Sequence, residues 1–181
     1  MGSRPTLFEE IVQRLTTYMG YSNVSGLGFG GVWIEPNKDG VHYVWQLTCP
    51  EYIMADLFST NNPQGRIANS GLELVALVLQ EARFTFVSTN PTWRDPFTGS
   101  DNTPTVDWAF PEASTLNPVL ADLLCLRSFV DYQFKITPSI FYHPGTKNSM
   151  ADDACRKFHL ALDIFLSLFY TTYSPQQSPG M

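Results

Sequence analysis

The stretch Tyr18–Thr48, YMGYSNVSGLGFGGVWIEPNKDGVHYVWQLT, decides the fold. It contains three apolar or aromatic runs, YMGYSNVSG, GFGGVWIEP and GVHYVWQLT, which are separated by glycine or by the turn-forming letters NKDG. Runs of this kind, bounded by turn residues, are typical of β-strands. The stretch therefore predicts three consecutive antiparallel strands, a meander.

The chain after the meander alternates predicted helices and strands. Residues 50–67 are rich in Asn, Pro and Gly and are predicted to be irregular. A helix is predicted to begin at Asn69-Ser70, because Glu73 follows Ser70 at the spacing of a capping box. The later segments are a β-rich run FTFVST (84–89), a Pro/Gly-rich stretch (90–104), a helix (117–132), a strand within 134–145, and one helix or two short ones over 149–170. This order predicts an α/β domain in which helices flank a mixed five-stranded sheet whose first three strands are antiparallel.

The length of the chain suits one domain with flanking segments. A chain of 181 residues buries one full hydrophobic core and is too short for two comfortable ones. Apolar residues four apart predict a short amphipathic helix over residues 6–17. The predicted organisation is a leader helix at 1–17, the domain at 18–175 and a flexible tail at 176–181.

Composition limits where the protein works and what it binds. Its three cysteines lie far apart, which favours reduced thiols in an intracellular protein, and neither a signal peptide nor a membrane span is predicted. The net charge of −6 argues mildly against nucleic acid as a partner. That argument weakens where part of the acidity is a carboxylate cluster that takes up a divalent metal.

Four short motifs follow one another along the chain. They are Gly20-Tyr21-Ser22-Asn23-Val24-Ser25-Gly26 leading into Gly30-Gly31-Val32-Trp33; Asn69-Ser70-Gly71-Leu72-Glu73-Leu74; Ser100-Asp101-Asn102-Thr103-Pro104; and Pro144-Gly145 with Asn148, Met150-Ala151-Asp152-Asp153 and Arg156. Each motif is weak alone, but four in order at suitable spacing are specific.

Together these motifs resemble the ribonuclease H domain of retroelements. That family has a strand bearing an Asp before a glycine turn, a helix carrying a Glu, a strand ending in Ser-Asp-Asn, and a late Pro-Gly…Asn-x-x-Ala-Asp…Arg. The pattern is most similar to that of reverse transcriptase polyproteins in retrotransposons of fungi and oomycetes. The resemblance covers roughly residues 18–175 and implies a ribonuclease H-like fold.

The resemblance implies a nuclease that cuts the RNA strand of an RNA/DNA hybrid with two Mg²⁺ ions, for which Mn²⁺ substitutes. Magnesium prefers oxygen ligands, hence the family's four acidic positions. Carried onto this sequence, these catalytic and metal-binding positions fall on Asn23, Glu73, Asp101 and Asp152.

Asn23 departs from the family pattern, which has an Asp that bridges both ions. An amide lacks the negative charge and coordinates more weakly, so catalysis is expected to be severely reduced while substrate still docks. Either an introduced inactivating substitution or a natural, decayed copy explains it. Ser22, Val24, Gly71 and Cys155 also depart from the pattern.

The expected partner is an RNA/DNA hybrid, read through phosphates and 2′-hydroxyls rather than bases. A reverse transcriptase domain of the same polyprotein is a further expected partner. The candidate substrate contacts are Asn69, Ser70, Asn102, Asn148, Arg66 and Arg156.

Simpler roles compete with the catalytic ones. Glu73 suits a capping box, Asp101 suits a turn before a helix, and Asp152 and Asp153 suit a helix dipole. The four motifs in order favour the site for all but Asp153. Two other functions stay open: an inactive ribonuclease H-like module that binds nucleic acid or serves as a scaffold, and a DNA-cutting integrase or transposase.

Overall fold

A computed structural model describes residues 18–35, 42–87, 94–109 and 117–173 of the chain. The predicted leader helix over 6–17 and the predicted tail over 176–181 lie outside these ranges. The division into leader, domain and tail therefore stays a prediction.

Five strands form one mixed sheet. They are β1 (Met19–Val24), β2 (Gly28–Ile34), β3 (His42–Thr48), β4 (Phe97–Ser100) and β5 (Ser139–Tyr142), in the spatial order β3-β2-β1-β4-β5. The β1–β2 and β2–β3 pairs are antiparallel, whereas the β1–β4 and β4–β5 pairs are parallel. The predicted five-stranded mixed sheet with an antiparallel meander is confirmed.

Helices cover both faces of the sheet. They are α1 (Glu51–Ala55), α2 (Asn69–Val87), α3 (Thr103–Ala109), α4 (Pro118–Phe134), α5 (Ser149–Arg156) and α6 (Leu162–Tyr173). A side chain at Gly31 would point at α2 and one at Gly30 would point at α5, so these two helices lie on opposite faces of β2. Within the described ranges, no helix combines the length and apolarity needed to cross a membrane.

The predicted strand in the run FTFVST is wrong over residues 84–87, because α2 continues to Val87, and residues 88 and 89 lie outside the described ranges. Phe84 is fully buried, with its ring 5.0 Å from that of Tyr18 and 4.7 Å from that of Trp33. This tertiary packing overrides the β-propensity of the run. The fourth strand is instead β4, which lies within the Pro/Gly-rich stretch and ends directly before Asp101, in line with the strand ending in Ser-Asp-Asn that the resemblance implied.

Three further helix boundaries differ from the sequence prediction. Residues 50–67 contain the short helix α1, and α3 begins within the Pro/Gly-rich stretch. In α2, the backbone N–H groups of Gly71 and Leu72 both donate to the carbonyl of Ala68, so Ser70 lies inside the first turn rather than at the cap. The capping box between Ser70 and Glu73 is therefore wrong, and Glu73 is free for another role.

Gly30 lets β2 and α5 approach closely. A Cβ atom built there would lie 2.4 Å from the backbone nitrogen of Cys155 and 2.5 Å from the carbonyl carbon of Ala154. Both contacts are with backbone, which cannot swing aside as a flexible side chain does. The glycine therefore sets the distance of α5 from the sheet.

We expect Gly30→Ala to lower the free energy of unfolding by about 1–3 kcal/mol, because overpacking forces α5 away from β2. Urea unfolding followed by circular dichroism measures the change. The matched control is Gly71→Ala, whose added Cβ would lie 3.6 Å from Leu120, an ordinary contact. Equal stability of the two variants would contradict the packing role of Gly30.

A buried ionic cluster joins α2 to α4. The Glu81 side chain is fully buried, and the Arg127 Nε donates to its Oε2 over 2.8 Å. Asp131 lies beside the pair, with an oxygen 3.9 Å from the same Arg127 nitrogen. Burial foremost, and then the charge of Glu81, raises the pKa of Asp131 to about 8. One arginine thus faces two carboxyl groups, and the folded state favours protonation of one of the two.

We expect Asp131→Asn to flatten the pH dependence of stability, because an amide mimics the protonated acid. The folded pKa of Asp131 lies above its ordinary value of 3.8, so the folded chain binds more protons and its free energy of unfolding falls as pH rises towards about 8. The slope should shrink by at most about 1.4 kcal/mol per pH unit, the value for one proton. Urea unfolding across this pH range tests it, with Asp122→Asn on the exposed side of α4 as control. An unchanged slope would exclude Asp131 as the titrating group.

Candidate active-site cleft

The parallel pairing of β1 and β4 brings two of the predicted site residues to one edge of the sheet. Asn23 lies near the end of β1, and Asp101 follows β4 directly. Because neighbouring parallel strands end at the same edge, the two side chains face a common cleft. Glu73 enters it from the first turns of α2 and Asp152 from α5.

The cleft has a volume of about 730 Å³ and a mainly polar lining. Its lining residues are Asn23, Val24, Ser25, Gly26, Asn69, Glu73, Asp101, Asn102, Gly145, Thr146, Asp152 and Arg156. The sequence motifs therefore predicted a set of residues that the fold brings together, including all four candidate metal-binding positions.

Glu73 is the most buried carboxyl group of the cleft, with 4% of its surface exposed. Burial foremost, and then the charge of Asp101, raises the pKa of Glu73 to about 8, although hydrogen bonds from the Val24 backbone and the Asn69 side chain act in the opposite direction. Its Oε2 atom is buried without a hydrogen-bond partner in the described part of the chain. A buried, unpartnered carboxylate oxygen indicates a place for a missing counter-charge.

Asp101 adds a second crowded carboxyl group. Burial foremost raises its pKa, and the charge of Asp152 raises it further, whereas His143 lowers it. Gly145 leaves room for it, because a Cβ there would lie 2.7 Å from Asp101 Oδ2. A side chain at position 145 would therefore require the Asp101 carboxylate to shift.

Asn23 links β1 to Asp152 through its amide. Its Oδ1 accepts the Val24 backbone N–H over 2.8 Å, and its Nδ2 donates to Asp152 Oδ1 over 3.0 Å. Turning the amide over would set two donors together at Val24 and two oxygens together at Asp152. The hydrogen bonds therefore fix the orientation, and an N–H group rather than a ligand oxygen faces Asp152.

Asp152 also pairs with Arg156, one turn further along α5. The Arg156 Nε donates to the same Oδ1 atom over 2.6 Å, and the arginine side chain is 60% exposed. This oxygen thus accepts two donors, one of them charged. Asp152 is already paired with groups of this chain.

The candidate substrate contacts divide into two groups. Asn69, Asn102 and Arg156 line the cleft, although the Asn102 Oδ1 also caps α3 by accepting the Thr105 N–H over 3.1 Å. The other three candidates, Arg66, Ser70 and Asn148, do not line it. Their role as substrate contacts stays a prediction.

Each residue of the second group has a local partner instead. Arg66 pairs with Asp56 over 2.7 Å, and the carbonyl of Ser70 accepts the Thr105 hydroxyl over 3.2 Å. Asn148 is 2% exposed and donates its side-chain N–H to the carbonyl of Ser22 over 3.1 Å. Asn148 therefore ties the start of α5 to β1 from inside the protein.

Sequence reasoning missed Ser25 and Thr146 as cleft residues. The Ser25 hydroxyl donates to the carbonyl of Cys155, which joins the turn after β1 to the end of α5. The signal was available, because Ser25 lies between Asn23 and Gly26 in the first motif. Thr146 follows Gly145 in a short 3₁₀ turn, Gly145–Lys147, which no pattern in the sequence marks.

The donor set does not fit the predicted two-ion site. The described residues contain no group of three or more Asp, Glu, His or Cys side chains arranged to hold a metal ion. Glu73 and Asp101 both line the cleft, but Asn23 presents an N–H and Asp152 is paired with Arg156. Only part of the family's ligand set is available for a cation in this chain.

Solved structures with a similar fold are ribonucleases H. The N-terminal RNase H domain of a Mycobacterium tuberculosis protein matches with a TM-score of 0.54 and 15% identity, over 76% of this chain and 94% of that chain. LC11-RNase H1, isolated from compost by a metagenomic approach, matches with a TM-score of 0.53 and 12% identity, over 77% and 93%. Its complex with an RNA/DNA hybrid matches with a TM-score of 0.54 and 13% identity, over 82% and 99%.

These likenesses show that the fold is ribonuclease H-like, as the sequence predicted. No protein-family model and no curated protein matches the chain. At such low identity the structural likeness defines the fold alone.

We expect Asn148→Ala to lower the free energy of unfolding by about 1–3 kcal/mol in the absence of any ligand, because it removes a buried hydrogen bond. Chemical denaturation measures the change. Arg66→Ala is the matched control, since its ion pair with Asp56 is exposed and solvent screens it, so that little change in stability is expected. If Asn148→Ala left stability unchanged and weakened only nucleic-acid binding, the substrate role would replace the structural one.

Proposed function

We propose that this chain is the ribonuclease H domain of a retroelement, and that it engages RNA/DNA hybrids at the acidic cleft while cutting them poorly. The hydrogen bond from Asn23 to Asp152 is the observation that carries the proposal. It places a neutral amide in the middle of a cleft that otherwise gathers carboxylates, at the position where the family pattern has an acid.

The cleft offers a hybrid both acidic and hydrogen-bonding groups. Asn69 and Asn102 lie on one side and the exposed guanidinium of Arg156 on another. Groups of this kind contact phosphates and 2′-hydroxyls, through which proteins recognise RNA-containing helices. Divalent metal supplies, when bound, the activation of water and the stabilisation of the leaving oxygen. The reverse transcriptase domain of the same polyprotein is the protein partner that this proposal implies.

A second function is favoured by the same amide. Asn23 is satisfied by Val24 and Asp152, so the cleft is stable without a bridging ion at this position. An Asn23 side chain that is hydrogen-bonded without an ion suits a domain that binds nucleic acid, or supports a polymerase, and does not cleave its ligand. The two functions differ in whether an acid at position 23 restores cleavage.

Cleavage of a labelled RNA/DNA hybrid, with Mg²⁺ or Mn²⁺, tests the proposal on this chain and on Asn23→Asp. We expect Asn23→Asp to cut at least about 100-fold faster, because even outer-shell partners of metal ligands are worth 10–100-fold. The control is the double variant Asn23→Asp/Glu73→Gln, which should not cut and so excludes a contaminating nuclease.

The other outcomes are equally informative. Hybrid binding by both proteins without cleavage by either would favour the module that binds but does not cut. Equal cleavage by the two proteins would show that position 23 is not a metal ligand. Absence of both binding and cleavage would reject the nuclease assignment of this domain.

A further inference from the structure

The three carboxyl groups of the cleft differ in the partners that the chain gives them. Glu73 and Asp101 both line the cleft, and neither forms an ion pair within the described ranges, whereas Asp152 accepts both the Asn23 amide and the Arg156 guanidinium. The carboxyl groups without a basic partner therefore lie on the side of α2 and β4, and the carboxyl group on the side of α5 is paired. A cation that enters the cleft meets one attractive subsite.

The Glu73–Asp101 subsite has a separate mark of a missing ligand. Glu73 is more than nine-tenths buried, lines the cleft, and keeps its Oε2 without a partner among the described residues. A buried carboxylate oxygen in this state is costly unless a counter-charge reaches it. Hard divalent cations with oxygen ligands and retained waters meet that need, and proteins commonly hold such an ion through one or two carboxylates.

The second subsite is closed by the chain itself. Asn23 turns its oxygen to the Val24 N–H and its own N–H to Asp152, so a cation there would face an amide hydrogen. Arg156 already places a positive charge 2.6 Å from Asp152 Oδ1. A cation in that place would have to displace this guanidinium against charge repulsion.

We infer that the cleft binds one divalent cation, held by Glu73 and Asp101, and that Arg156 occupies the electrostatic place of a second ion beside Asp152. The inference rests on the proposed function in taking this cleft as the working site. It needs no nucleic acid, so the two can fail separately.

Counting bound Mn²⁺ tests the inference. Free Mn²⁺ gives a sharp six-line paramagnetic resonance signal in solution, and its loss on titration with the chain gives stoichiometry and affinity. We expect one ion per chain. Glu73→Gln and Asp101→Asn should each weaken binding at least about tenfold, in line with losses seen around metal ligands. Asp152→Asn should keep one ion with a smaller loss.

The Asn23→Asp variant provides the positive control, since an acid there should admit a second, weaker ion. Melting temperature gives an independent readout: Mn²⁺ should raise it for the parent chain and for Asp152→Asn but not for Glu73→Gln. Near-ultraviolet circular dichroism confirms that each variant is folded, and Glu73→Gln and Asp101→Asn each test the subsite if the other fails to fold.

Three results would overturn the inference. They are two ions bound by the parent chain, no ion bound, or loss of binding in Asp152→Asn as complete as in Glu73→Gln. A hybrid that binds without any of these ions would leave the proposed function standing while the single-ion site failed. One bound ion without any hybrid binding would support the single-ion site and reject the proposed function.

Discussion

The parallel pairing of β1 with β4 is the constraint on which the site depends. It sets Met19 against Phe97 and Tyr21 against Gly99, so the two strands finish side by side although about seventy-five residues separate them. Everything that closes the cleft is arranged around these two ends: α2 on one face, α5 on the other, and the glycine turn that admits Asp101. A shift of this pairing by one residue would turn the side chains of β4 to the opposite face.

Helix positions follow from close contacts with β2. Gly30 admits the backbone of α5, and the Gln80 side chain of α2 reaches the other face, donating to the Val32 carbonyl over 2.8 Å and accepting from the Trp45 indole over 2.6 Å. Buried polar contacts of this kind are specific because an unpaired partner is costly. The contacts of Gln80 hold α2 in place, and with it Glu73, which lies nearer the start of the same helix and above the end of β1.

The sequence predicted the parts whose signal is local or motif-based. Apolar runs and turn residues predicted the meander, and the resemblance of the four motifs to the ribonuclease H pattern implied that Glu73, Asp101 and Asp152 would share one site. The sequence prediction failed where contacts between residues far apart in the chain determine the structure. At Phe84, ring contacts with Tyr18 and Trp33 favour the continuation of α2 as a helix. The sequence also did not predict that Asn148 would be buried, because that depends on how α5 lies against β1. The pairing of Arg156 with Asp152 needs only the helix itself, since the two residues lie four apart in α5.

The amide at position 23 has a consequence for how the domain is maintained. Crowded carboxylates destabilise a protein that carries no metal, and active sites commonly accept this loss for the sake of chemistry. A carboxylate at position 23 would repel Asp152, whereas the amide donates a hydrogen bond to it. One source of repulsion is thereby absent from the cleft, and the stability so kept is available to offset destabilising substitutions elsewhere in the domain.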